Sequence, residues 1–304
     1  MISVTNYHKS KFLNECEIFE ESKECYFCKS TNVKKIFLLQ KNPNVHLFEC
    51  QNCYAVSADR MPKSSTLDNY YSQYYKENTE GITVGNVFKF SHNIYKIVKK
   101  HIKEINNIRL LDFGGGSGLN AYNLSIELTK MIKKSTFYID VVDYHSDLVK
   151  SEYNNIILNH CNDISSLKNK YDIIIASTVF DHIPDCSEII KTLFTLLKKD
   201  GIFYSRTPFV VPLMVFINKF KINLDFTYPA HVHDMGDKFW NTFITKMGIS
   251  GQYKIIKSRP SIVESSFNKD FIRTLISTTF KAIWYPFRFW KFVGGWEIFI
   301  KKVD

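Results

Sequence analysis

Along the second half of the chain the apolar positions gather into short runs, each closed by a polar or glycine-bearing turn. NIRLLDF (107–113), STFYIDVVD (135–143), NNIILNHC (154–161) and YDIIIAS (171–177) read as four successive strands. The DIIIA run is almost continuously apolar, as a strand buried on both faces requires. A helix from about 185 to 199 ends at Asp200-Gly201, GIFYSRTP (201–208) is a fifth strand, and GQYKIIKSR (251–259) and WEIFIKKV (296–303) are a sixth and a seventh. Strands alternating with helices of this length predict an α/β, doubly wound, largely parallel sheet whose ligands lie outside the carboxyl ends of the strands. Upstream, VKKIFLLQ and VHLFECQNC predict a small hairpin, and the first twenty or so residues carry no period and predict a loosely ordered lead-in. TLDNYYSQYYKEN (66–78) places Tyr70 and Tyr71 four residues before Tyr74 and Tyr75, an amphipathic linking helix or a tyrosine-lined lid. A second helix, from about 86 to 106, carries Phe90, Ile94, Ile97, Val98, His101 and Ile105 on one side. These patterns divide the chain into a lead-in and metal module (1–65), linking helices (66–107) and a main domain (108–304). Apolar, Lys/Arg-studded excursions near 208–235 and 266–293 read as insertions that would roof a pocket, as ordinary core-facing helices, or as a basic, aromatic surface for a lipid-linked glycan or a membrane interface.

The length of 304 residues and 45% hydrophobic content suit one large core with a small satellite. No apolar run reaches membrane-spanning length before a charge, Pro or Asn interrupts it, and no secretory leader pattern opens the chain, which predicts a cytoplasmic location. A formal charge of +10 favours an acidic partner such as RNA, a nucleotide-linked substrate or an anionic membrane surface.

Four of the seven cysteines form two pairs, Cys25-x-x-Cys28 and Cys50-x-x-Cys53, on either side of the predicted hairpin. Each knuckle presents two thiolates and the hairpin brings the knuckles together, which predicts a closed tetrahedral zinc site with a structural role. A module of some thirty residues cannot bury enough apolar surface alone, so the metal, with about 10 to 16 kcal/mol of apparent binding energy in such sites, would hold it together.

The second chemical signal is DFGGGSG (112–118), directly after the first strand of the main domain. Small residues let backbone approach a ligand, and the following helix offers free N–H groups. A dinucleotide-binding loop would place its first glycine where Asp112 stands, so the order of acid before glycines favours S-adenosylmethionine. Asp143 ends the second strand, where a carboxylate can accept both hydrogen bonds of a ribose diol; Tyr144 beside it can cover the adenine and Asp163 can accept from its amino group.

DFGGGSG, Asp143, the NDI segment and STVFDHIPD resemble the first four motifs of class I S-adenosylmethionine-dependent methyltransferases. CYFC…CQNC followed by LDNYYSQYY, with the later TPFVVPL…YPAHVHDMGDKFWNTFITKMGI, resembles zinc-ribbon-bearing methyltransferases of bacterial surface-polysaccharide and modified-sugar biosynthesis. The resemblance implies a seven-stranded Rossmann-like sheet with the last strand antiparallel. It also implies that Asp112, Gly114, Gly116 and Gly118 cradle the methionine portion, Asp143 the ribose and Asp163 the adenine edge.

Methyl transfer to a hydroxyl needs the acceptor held in line and its proton removed, and a positioned histidine contributes roughly 10² to 10⁴-fold. The candidates are His182, with Asp181 to orient it or act itself, and His231 and His233 in YPAHVHDM. His-x-His with Asp234 is also half of a metal site that lacks a third ligand. The leading expectation is O-methylation of a sugar, nucleotide-sugar or related small molecule, with no obligate protein partner. RNA base methylation and a non-catalytic scaffold are the alternatives. The ribbon is not especially basic, and the loop after the fourth strand lacks the asparagine-proline signature of amino-group methylation, which demotes RNA.

Overall fold

The computed structural model describes residues 2–3, 8–77, 86–102, 106–144, 147–246, 252–261 and 271–303. Strands β1 (Val33–Gln40), β2 (Val45–Cys50) and β3 (Val56–Ala58) precede helices α1 (Ser64–Glu77) and α2 (Val87–Val98). The alternating region comprises β4 (Asn107–Phe113), α3 (Leu119–Thr129), β5 (Thr136–Val142), β6 (Ile156–Cys161), β7 (Tyr171–Ser177), α4 (Ser187–Leu196) and β8 (Leu197–Phe209). Then follow α5 (Val211–Asn218), β9 (His233–Asp234), α6 (Asp237–Lys246), β10 (Tyr253–Pro260), α7 (Phe271–Ile283) and β11 (Gly294–Lys302).

The large sheet has seven strands in the order β10-β11-β8-β7-β4-β5-β6. β4 to β8 pair in parallel, and β11 runs antiparallel to both β8 and β10. This is the Rossmann-like arrangement expected from the apolar runs. Ile173, Ile174 and Ile175 are fully buried because helices cover both faces of β7. The chain order reverses at β4, between β5 and β7, and that crevice is where an open α/β sheet takes its ligand.

The second sheet, in the order β9-β3-β2-β1, carries the cysteine knuckles. Its edge strand β9 comes from the main domain, His233 pairing with Ser57 and Asp234 with Val56. Cys25, Phe27, Cys50, Cys53 and Ala55 share one buried cluster with Phe239 and Trp240 of α6, so the module is packed into the main core.

Four expectations change. The lead-in is ordered from His8 on: Leu13 and Ile18 are buried with Met61, Tyr228 and Val232, and Gln40 accepts from the Leu13 N–H at 3.1 Å and donates to its carbonyl at 2.8 Å. α2 ends at Val98, short of the predicted 106, and Ile105 lies outside the described residues. α4 stops at Leu196, because Leu197 already pairs with Tyr171, and the Asp200-Gly201 turn is a bulge inside β8 before pairing resumes at Ile202. α5, in the first apolar excursion, buries Val211 and Met214 against Leu47 and Val56 of the ribbon sheet and roofs no cavity. No described helix is long and apolar enough to cross a membrane.

Candidate active site

The loop after β4 turns back on itself through Gly114 (φ 69°), Gly116 (φ 57°) and Gly118 (φ 76°), conformations that side chains resist. A Cβ on Gly114 would also lie 2.5 Å from Val179 Cγ2. Asp112 lies beneath the loop, accepting from the Ala121 N–H of α3 at 3.3 Å. Burial, followed by the neighbouring Asp143, pushes its carboxyl up to about 7. Asp143 at the end of β5 accepts from the Gly116 N–H at 2.8 Å, tying the loop to the next strand.

These groups open onto a cavity of about 900 Å³ lined at one end by Asp112, Gly114, Gly116, Asp143, Tyr144 and Asp163. Tyr144 is 91% exposed at the rim. Asp163 caps a short 3₁₀ turn, accepting from the Ser165 N–H at 2.6 Å, a bond that lowers its carboxyl. Gly118 does not line the cavity; it starts α3 facing β5, where a Cβ would meet Val141 Cγ2 at 2.8 Å. Gly115, by contrast, does line it, and a Cβ there would sit 2.4 Å from Asp112 Cγ. The second glycine of the run makes room for the acid.

The other end of the cavity is lined by His8, Leu67, Tyr71, Tyr74, Thr178 and His182. The lead-in and α1 therefore wall this side, and none of the described residues in 208–235 or 266–293 takes part. Tyr71 and Tyr74 of α1 line the cavity, with Tyr71 Oη 3.0 Å from His182 Nδ1. The Ala230 carbonyl, which only accepts, lies 2.8 Å from the same Nδ1, so that nitrogen carries the hydrogen. Asp181 and His231 stand behind His182, with Asp181 Oδ2 at 3.4 Å from His182 Nε2 and 3.5 Å from His231 Nε2.

His233 is a correction. It is fully buried between the ribbon and the main sheet, with Nδ1 2.8 Å from Ser57 Oγ and Nε2 near the carbonyls of Ile183 and Pro184 at 3.1 and 3.0 Å. Both ring nitrogens are occupied and none of the ring reaches the cavity, so His233 holds the seam and is not placed to act on an acceptor. Asp234, its neighbour in the suggested half metal site, accepts from the Val210 and Val211 N–H groups at the start of α5.

The two cysteine knuckles fold alike. Lys29 (φ 56°) and Tyr54 (φ 63°) follow the second cysteine of each in the left-handed region, and their N–H groups return to the carbonyls of Cys25 and Cys50 at 3.0 and 2.9 Å. All four sulfurs lie within 4.8 Å of one another, with Cys25–Cys53 at 3.4 Å and Cys28–Cys50 at 3.5 Å. Tetrahedral zinc with bonds of about 2.3 Å separates its sulfurs by about 3.8 Å, so the donor set fits that ion. The N–H groups of Asn52 and Cys53 point at Cys50 Sγ at 3.4 Å each and would support a thiolate.

Sequence patterns missed His8, which lies in a stretch without period, and left Tyr71 undistinguished among four tyrosines. Only the folding of the lead-in over α1 brings them to His182.

The profile of the methyltransferase domain family matches residues 89–240, half of the chain, covering β4 to β8 and the glycine loop. The chain belongs to this family. Among curated methyltransferases, the malonyl-[acyl-carrier protein] O-methyltransferase of Bacillus cereus is 29% identical over 126 residues, 39% of this chain and 44% of that protein. The ubiquinone biosynthesis O-methyltransferase of Rickettsia bellii is 30% identical over 122 residues, 38% of this chain and 48% of that one. The chain thus spans less than half the length of either relative. Among solved structures, the magnesium protoporphyrin IX methyltransferase from Synechocystis with bound SAH aligns over 71% of this chain and 82% of its own, at 13% identity and a TM-score of 0.43. The methyltransferase-domain match ends at the first residues of α6, so the ribbon, α1 and the late strands lie outside it.

Proposed function

We propose that the protein is an S-adenosylmethionine-dependent O-methyltransferase acting on a sugar, nucleotide-sugar or related hydroxylated small molecule of glycan biosynthesis. The observation that carries this reading is a single cavity joining the glycine loop, Asp112 and Asp143 at one end to Tyr71 and His182 at the other. Bound in the cradle, S-adenosylmethionine would supply an electrophilic methyl group on a sulfonium. Asp112 would face its ammonium and Asp143 its ribose hydroxyls. The polar end would hold the acceptor, with His182 beside the hydroxyl that must lose its proton. A cavity of about 900 Å³ suits a cofactor plus a small acceptor. The four cysteines would hold one structural zinc with no open position for substrate.

Labelled methyl from S-adenosylmethionine, offered to total RNA and to a nucleotide-sugar fraction, tests the reading. Label in the sugar fraction supports it. Label in RNA overturns it in favour of base methylation, and cofactor binding with no transfer to any pool supports a scaffold. A peripheral contact with anionic membrane would run through α7, which exposes Phe271, Ile272, Leu275 and Ile276.

A further inference from the structure

His8, His182 and His231 come from three distant parts of the chain and place one ring nitrogen each within 4.8 Å of the others. Their outward nitrogens are pinned. His182 Nδ1 donates to the Ala230 carbonyl at 2.8 Å, and His231 Nδ1 to Thr227 Oγ1 and the Phe226 carbonyl at 2.6 and 3.1 Å. His8 Nδ1 lies 3.4 Å from Tyr70 Oη, whose own hydrogen goes to the Lys9 carbonyl at 3.1 Å. Each Nε2 is therefore left as a bare lone pair, the tautomer that metal-binding histidines hold through a backbone or hydroxyl partner on the far nitrogen.

Asp181 lies beside two of the three rings. Its carboxyl is fully buried, neither oxygen has a hydrogen-bond partner, and Oδ2 faces the Nε2 atoms of His182 and His231 at 3.4 and 3.5 Å. Acceptors alone converge on one point, an arrangement that is unfavourable in a buried place unless a cation occupies it. We propose that His8, His182 and His231, with Asp181 as a fourth or outer ligand, bind one divalent first-row transition ion at the acceptor end of the cavity. Imidazole and carboxylate suit zinc, iron, cobalt or nickel, and the site is chemically distinct from the all-thiolate cluster.

The ion's role rests on the proposed function, because it would acidify an acceptor hydroxyl that binds to it, with the histidines acting through the metal. Its presence is measured without any acceptor. The full chain is loaded with cobalt, desalted, and assayed for metal per chain and visible absorption. The expected result is two ions in the wild-type protein, one with thiolate charge-transfer bands and one without. His8→Gln and His231→Gln should each lose only the second, with its affinity weakened on the order of 100-fold or more. The retained thiolate-bound ion reports that a variant has folded, and His8→Gln decides the matter if His231→Gln does not fold. A single ion in the wild-type protein, or a second ion that survives both substitutions, overturns the proposal. Failure of methyl transfer alone would leave the metal count unchanged.

Discussion

Gly115→Ala tests the cofactor cradle with one carbon atom. The new methyl would lie 2.4 Å from Asp112 Cγ and 2.7 Å from its Oδ2, far inside contact distance. Gly115 is not among the glycines with positive φ, so the backbone does not object. On the unfolded chain alone the change would stabilise by about 0.4 to 1 kcal/mol. The part that must yield is the buried Asp112 carboxyl, which would turn away from the Ala121 N–H it accepts at 3.3 Å. Losing a buried partner costs about 1 to 3 kcal/mol, and the displaced acid would no longer face the cofactor's ammonium. Affinity for S-adenosylhomocysteine, measured by calorimetry, should therefore weaken by roughly 10- to 100-fold, at about 1.4 kcal/mol per factor of ten. A thermal melt on the same sample should show a folded protein. Wild-type affinity in folded Gly115→Ala protein would refute the placement of Asp112 beneath this loop and its role in binding.

Asp112 also makes cofactor binding pH-dependent. Its folded pKa of about 7 lies above the ordinary 3.8, so the neutral carboxyl stabilises the free protein at acid pH, and on the order of 4 kcal/mol is lost progressively between about pH 4 and 7, with no further loss above that. The cofactor's ammonium favours the ionised form, so affinity should climb from pH 6 to 8. Asp112→Asn should flatten that profile, bind more weakly, and melt higher than wild type at pH 8 without ligand; a wild-type profile with no slope would exclude titration of Asp112. Asp143→Ala removes both the proposed ribose acceptor and the partner of the Gly116 N–H, and should weaken cofactor binding by at least about tenfold by calorimetry. Chelation of metal from the cysteine cluster, or Cys50→Ser, should lower the melting temperature of the whole chain in one transition, checked by calorimetry, because the cysteines share a core with α6. Co-sedimentation with phosphatidylserine vesicles should be lost on Ile272→Glu with Ile276→Glu if α7 lies on membrane, while cofactor affinity is unchanged.

The sheet was legible because Ile173 to Ile175 could only be a strand buried on both faces, and the thiolate cluster because knuckle spacing reports a local geometry. Both are short-range patterns. The far end of the cavity was legible at His182, which follows a strand end, and in part in the tyrosines of 66–78. His8 carries no local signal, and its position depends on Leu13 and Ile18 finding Met61 and Tyr228, contacts no period reveals. The apolar stretch around Val211 and Met214 announced burial and left its partner unstated; the ribbon sheet, not the cavity, provided it. His231 and His233 share one motif, in which His233 was the favoured candidate. The strand β9 separates their roles, since His233 pairs across to Ser57 while His231 lies beyond the pairing.

That two-residue strand also makes the segment from Ala230 to Asp234 a tether with attachments at every position. Ala230 receives the His182 hydrogen, the Val232 N–H donates to the Asp181 carbonyl at 2.8 Å, and the Val232 carbonyl accepts from Ala58 at 2.9 Å. Looseness in the cysteine knuckles would thus reach the histidines through main-chain bonds, with no diffusible messenger and no large movement. Two modules that look separable in the sequence would be inherited, transplanted or inactivated as one, and an agent that strips the ion proposed for the four cysteines would act as an inhibitor from outside the cavity.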